Sequence, residues 1–288
     1  MPEANASGSN AASQDAEPVQ LDTGTDELLC HRHGRVAVIT LNKPAKKNAL
    51  GDILTPALRR TLLEVEADPA VGCVMLTGAG DAFCSGGDVS GMGGGKAAVP
   101  APAPQDRVAE LLTKQVTLTQ RIHELKKVTI AALPGVAAGA GLSIALACDL
   151  RIASDNAFVV TAFRNIGLSG DYGASWFLPR LIGMAKAKEL YYTAERVYAA
   201  ECERIGLFNR VFSQETFRAD ALAYAAHIAD GPTNALGRMK LNLNAGADQS
   251  LRDSLALEAQ HLIESMQDPE AREAISAFME KRPPAFHG

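Results

Sequence analysis

The sequence has no CxxC pair, no run of lysine and arginine, and no apolar stretch near the ~18 residues that cross a bilayer. Its five cysteines, Cys30, Cys73, Cys84, Cys148 and Cys202, are far apart, and three lie within or beside apolar runs. They read as small hydrophobes, so neither structural zinc nor disulfides are expected. The six histidines, His31, His33, His123, His227, His261 and His287, lack metal-ligand spacing with a second His or Cys, and no metal site is expected. With 28 basic against 33 acidic residues the net charge is −5, which offers phosphates no basic stripe and argues against nucleic acid as a partner. The opening MPEANASGSNAASQDAEP has neither a positive n-region nor an apolar h-region, so it is no secretory leader. Residues 1–27 are expected to form a disordered tail on a cytoplasmic protein with no membrane partner.

What is present suits a large core. The 288 residues are 47% hydrophobic and 21% charged, enough for one core of roughly 200 to 250 residues. The β-branched run Val36–Leu41 predicts a strand closed by Asn42-Lys43-Pro44. Behind it, Ile53, Leu54, Ala57, Leu58, Leu62 and Val65 recur at helical spacing from Asp52, a potential cap, to Glu66. The order repeats. Cys73–Thr77 is a strand, 78–88 a glycine-rich loop and Arg107–Lys126 an amphipathic helix, with a flexible surface segment at 91–104 between them. Val128–Leu133 is again a strand, Pro134–Gly139 a turn region, and Ala140–Cys148 a helix of small residues before a strand at Leu150–Ala153. After Gly173 helices dominate, at Ala174–Ile182, Ala185–Thr193, Phe217–Ala229 and through Leu251–Glu280. The pattern predicts an α/β fold in which ββα turns stack over residues 28–220, followed by a helical region over 221–288 that covers the site or joins subunits, with the boundary within ten residues of 220.

Two segments put glycine where a strand turns into a helix: Gly78-Ala79-Gly80-Asp81-Ala82-Phe83-Cys84-Ser85-Gly86-Gly87-Asp88 and Pro134-Gly135-Val136-Ala137-Ala138-Gly139-Ala140-Gly141. Each leaves amides at a helix start without intrahelical acceptors, a suitable seat for negative charge. A single such loop reads as a tight turn. A phosphate cradle is not indicated, since neither GxxxxGK[ST] nor a correctly placed GxGxxG occurs. Two loops together suit a pair of N–H donors converging on one developing oxyanion.

The ordered motifs LNKPAKKNAL, LTGAGDAFCSGGDV, PGVAAGAGLSIALACDLRIAS, GLSGDYGASWFLPRLIG and AFMEKRPPAFHG, spread over residues 28–288, resemble the crotonase (enoyl-CoA hydratase/isomerase) superfamily. Within it they are most similar to ring-1,2-epoxyphenylacetyl-CoA isomerases and related enoyl-CoA isomerases. The resemblance implies a crotonase-like spiral of ββα units with a C-terminal trimerisation region, a homotrimer or homohexamer, an acyl-CoA thioester as substrate, and no permanently bound cofactor. It places oxyanion donors on the backbone N–H of Gly87, beside Gly86, and of Ala140. It places the loop Ala45-Lys46-Lys47-Asn48-Ala49-Leu50 against the adenine and pantetheine parts of coenzyme A. Lys46 and Lys47 can meet CoA phosphates or be solvated surface. Asp88 reads as a helix N-cap.

The sequence departs from the hydratase pattern where two glutamates would hold water: the matching positions are Ser143 and Phe163. One acid remains in the region, Asp171, at a position where several isomerases of the superfamily carry a proton-moving aspartate. Asp171 can be that group or a turn residue before Gly173. Phe163 and Trp176 can wall an acyl pocket or pack the core. Ser143 has no base in sequence reach and is not expected to be a nucleophile. The expectation is an acyl-CoA isomerase that shifts a double bond or rearranges an epoxide, with a hydratase, a C–C bond hydrolase or a non-catalytic acyl-CoA-binding scaffold as alternatives.

Overall fold

A computed structural model of the chain describes residues 17–88 and 103–287. The N-terminal half lays down strands β1 (Val19–Leu21), β2 (Leu28–His33) and β3 (Val36–Leu41), helix α1 (Leu54–Ala67), then β4 (Cys73–Gly78) and β5 (Ala82–Cys84). Helix α2 (Pro104–Gln115) runs through a π-helical turn at Val116–Gln120 into α3 (Arg121–Glu124). Next come β6 (Val128–Leu133), β7 (Val136–Ala138), α4 (Ala140–Ala147), β8 (Leu150–Ser154) and β9 (Phe158–Val160). The remainder is α5 (Ala174–Ile182), α6 (Met184–Thr193), β10 (Val197–Tyr198), α7 (Ala199–Arg204), β11 (Arg210–Phe212), α8 (Phe217–Ala229), α9 (Thr233–Gly246), α10 (Leu251–Gln267) and α11 (Pro269–Glu280).

The strands form a seven-stranded sheet in the order β1-β2-β3-β4-β6-β8-β11 and a four-stranded sheet in the order β10-β9-β7-β5. Each turn of the repeat therefore gives one strand to each sheet: β4 and β5, β6 and β7, β8 and β9. The central pairs β3–β4, β4–β6 and β6–β8 are parallel, as are β5–β7 and β7–β9. Alternation along the central strands sorts two cores. Ala37, Ile39, Val74, Leu76, Ala131 and Leu133 join the main core with α1 and α4, whereas Val36, Cys73, Met75, Ile130 and Ala132 pack under Phe217, Ala221, Ala225 and Ala229 of α8.

Several expectations need correction. Part of the expected tail is a strand, because Val19–Leu21 pairs antiparallel with Cys30–Arg32; residues 1–16 lie outside the described residues, as does most of the segment 91–104. Both glycine-rich loops contain a short strand, β5 or β7, since the small sheet needs only three residues from each. Helix α1 starts at Leu54 without a side-chain cap, so Asp52 does not cap it. The expected helix Arg107–Lys126 starts at Pro104 and is interrupted by the π turn. Helix α9 escaped the sequence pattern, and the stretch Leu251–Glu280 breaks at Asp268, where Pro269 opens α11. A cut at residue 220 would pass through α8, which belongs to the second core.

Candidate functional site

Strands β5 and β7 are parallel neighbours, so the segments leaving their C-terminal ends, Ser85-Gly86-Gly87 and Gly139-Ala140, emerge side by side. Gly86 has φ +100°, and a methyl group there would lie 3.0 Å from the Ala138 carbonyl and 3.5 Å from the Ala140 nitrogen. The two loops are thus in van der Waals contact, and only glycine fits the crossing. The loop of residues 44–50 is laced to this crossing by backbone: Ser85 N–H donates to Lys47 O at 2.9 Å, Leu50 N–H to Gly86 O at 2.8 Å, and Asp88 N–H to Leu50 O at 2.9 Å. The bridge between Leu50 and Gly87 uses the Gly86 carbonyl and the Asp88 amide, leaving the Gly87 N–H outside it. Ala140 is the first residue of α4, where an amide has no acceptor in its own helix.

Asn48 organises this corner and was missed in the sequence. Its buried side chain donates to Ala79 O at 2.9 Å and Ala82 O at 2.8 Å and accepts from Lys43 N–H at 2.9 Å. Its φ of +57° is the left-handed conformation that asparagine tolerates, and the asparagine itself, in a loop after Pro44, is the trace the sequence carries. Lys46 and Lys47 are exposed, and Lys46 meets the Asp88 carboxylate at 2.9 Å. Ala49 is buried behind them.

Asp171 sits in a run of left-handed backbone, Gly170 (φ +103°), Tyr172 (φ +52°) and Gly173 (φ +84°). Such strain persists only where neighbours hold it. Two of them do: the Ser143 hydroxyl donates to Asp171 O at 3.0 Å, and Tyr172 N–H donates to Gln115 Oε1 at 3.0 Å, just before the π turn. Ser143 also reaches Gly139 O at 3.2 Å, so its hydroxyl ties the start of α4 to the Asp171 segment. The Asp171 carboxyl is half-buried, its Oδ1 has no hydrogen-bond partner among the described residues, and burial raises it above the usual carboxylate range. Phe163 is buried between the two halves. Methyl groups built on Gly139 and Gly170 would lie 3.7 Å and 3.4 Å from its ring.

Trp176 is not at this wall. It packs edge-on against His123 and Phe177 beneath the Arg180 guanidinium, in a cavity of about 530 Å³ lined also by Gln115, Leu241 and Asn244, which neither Asp171, Ser143 nor Phe163 lines. Two residues separate the cause: Gly173 ends the strained run, and α5 carries Trp176 away toward α9. All five cysteines are buried, and burial pushes Cys30, Cys84, Cys148 and Cys202 up to about 12, so they remain thiols.

The family described as enoyl-CoA hydratase/isomerase matches residues 31–288. The chain belongs to this family. As a member it is an enzyme of the crotonase type, and its relatives differ in what their names say they do. The 1,2-epoxyphenylacetyl-CoA isomerase of Escherichia coli is 35% identical over 91% of this chain and 98% of its own. The short-chain-enoyl-CoA hydratase of Clostridium acetobutylicum is 33% identical over 89% of this chain and 96% of its own. The solved structure of an enoyl-CoA hydratase from Polaromonas sp. JS666 superposes with a TM-score of 0.82, at 33% identity over 89% of this chain and 98% of that one.

Proposed function

We propose that this enzyme is an acyl-CoA isomerase that moves a proton along the acyl chain through an enolate, shifting a double bond or rearranging an epoxide. The observation that carries the reading is Asp171, a half-buried carboxyl with one oxygen that has no partner among the described residues, tied by Ser143 to the residue preceding Ala140. The Asp171 carboxylate takes a proton from the carbon α or γ to the thioester, and the electron pair moves onto the thioester oxygen. The Gly87 and Ala140 amides hold that oxygen, each contributing a factor of roughly 10² to 10³. Asp171 then returns the proton to the other carbon, the electrons move back, and the double bond has shifted with no net oxidation. Lys46, Lys47 and Ala49 border the CoA, and Phe163 walls the acyl group.

Relatives named as hydratases keep a second reading in view, but the chain has Ser143 and Phe163 where paired glutamates would activate water. Incubation with a 3-enoyl-CoA and with crotonyl-CoA separates the two. The expected result is conversion of the 3-enoyl thioester, slowed by roughly 10² to 10⁴ in Asp171→Asn. Hydration of crotonyl-CoA that survives Asp171→Asn would favour the hydratase, and tight acyl-CoA binding without turnover of any thioester would favour a scaffold. We further propose that the enzyme assembles as a homotrimer or homohexamer through its C-terminal helices. Their apolar side chains support this: Leu243, Leu251, Leu262 and Phe278 are 62–81% exposed in the single chain.

A further inference from the structure

A second unpartnered polar atom lies beside Asp171. Tyr191 stands on α6, its ring stacked on Phe163 at 6.1 Å between centroids and 24° between planes. Its hydroxyl is buried and has no hydrogen-bond partner among the described residues, as is true of Asp171 Oδ1. A methyl group on Gly170, the residue preceding Asp171, would lie 3.3 Å from this hydroxyl and 3.4 Å from the Phe163 ring. Thus a phenol, the residue bearing a carboxyl and an aromatic face meet at one glycine, yet phenol and carboxyl are not bonded to each other.

A buried hydroxyl without a partner lowers stability, and a phenylalanine would fill the same space without that penalty. A hydrocarbon acyl chain beside it would leave the hydroxyl unpaired away from water. We propose that Tyr191 is a specificity-determining residue that selects acyl groups bearing an oxygen substituent, to which its hydroxyl donates a hydrogen bond. An alcohol oxygen there can accept from Tyr191 and donate to the Asp171 carboxylate, satisfying both groups at once. An ether oxygen can accept from Tyr191 alone. Burial and the neighbouring Asp171 charge push the phenol up to about 12, so at neutral pH it keeps the proton it donates. The selectivity follows the rule that a site with an unpaired buried donor discriminates against the analogue lacking the acceptor.

This inference rests on the acyl-CoA reading, and binding separates the two. The full chain and Tyr191→Phe would be titrated by calorimetry with two unreactive CoA thioethers of equal chain length, one plain and one carrying a hydroxyl on the acyl chain. Wild type is expected to prefer the hydroxylated thioether by about tenfold or more, one hydrogen bond in a dry site, and Tyr191→Phe to lose about tenfold of that preference. The variant should fold, with a melting temperature equal to or above wild type, because the hydroxyl bonds nothing among the described residues. Binding of both thioethers with no preference in wild type, or with a preference that Tyr191→Phe retains, would overturn the role of Tyr191 while leaving the acyl-CoA reading intact. Failure of wild type to bind either thioether would overturn both.

Discussion

At the scale of single residues, the proposed chemistry turns on the Asp171 carboxyl, whose Oδ1 has no hydrogen-bond partner among the described residues. Burial alone raises Asp171, so its folded pKa exceeds the unfolded one. Between those two values the native state binds more protons than the unfolded chain. This contribution to stability is therefore complete below the unfolded pKa and is lost as pH rises through the folded one. Asp171→Asn removes the titration. It should melt above wild type at neutral pH, with the gap closing toward about pH 4, while isomerase kcat falls by roughly 10² to 10⁴. Thermal unfolding across that pH range checks the first part, and a gap that stays constant with pH would contradict it. In the wild type, kcat/KM should rise with pH through a value above the ordinary aspartate range, since the base must be unprotonated.

Among elements, the decisive contact is the one between the loop of residues 44–50 and the strand–loop segments on either side of Gly86. It is made mainly by backbone, with Asn48 buried in it and Ser85 and the Lys46–Asp88 pair adding side-chain contacts at its exposed edge. Asn48→Ala removes three hydrogen bonds, those to the carbonyls of Ala79 and Ala82 and from the amide of Lys43, and puts a Cβ-only residue at φ +57°. A loss of about 3 kcal/mol or more is expected in denaturant melts. A loss within 0.5 kcal/mol, the range of an ordinary surface change, would show that the corner is held by other contacts. Helix α4 approaches the same corner from the other side. A methyl on Gly141 would lie 2.4 Å from the Cys84 carbonyl, so the helix start is pressed onto β5 and the spacing of the two loops is set by backbone contact.

The whole molecule leaves its C-terminal helices half-finished. Helix α10 has no buried residue in the single chain, and Phe278 on α11 is 81% exposed, whereas α8 is fixed to the large sheet and α9 is anchored through the Lys240–Asp149 ion pair at 2.9 Å. Surface of that kind needs covering. Sedimentation of the full chain should give three or six times 30.4 kDa, and the pair Leu262→Asp with Phe278→Asp should shift the mass toward one chain. A wild-type monomer at micromolar concentration would rule the assembly out. No described helix is long and apolar enough to cross a membrane.

Read without coordinates, the sequence already determined the repeat of strand, glycine loop and helix, because period-two runs such as Val36–Leu41 and helical spacing such as Ile53–Val65 are local properties of the chain. It also determined which residue types stood where paired glutamates might have been. The tertiary structure alone decided that each repeat splits its strands between two sheets, since β5 and β7 are too short for periodicity to register. It alone decided that Trp176 leaves the Asp171 wall and that Tyr191 joins it. In KELYYT either tyrosine could have faced inward; Tyr191 follows Ala187 and Leu190 onto the buried face, while Tyr192 is 67% exposed. For both aromatic residues the physical reason is that a step along a helix swings a side chain by several ångströms, and only packing against distant segments fixes the rotation.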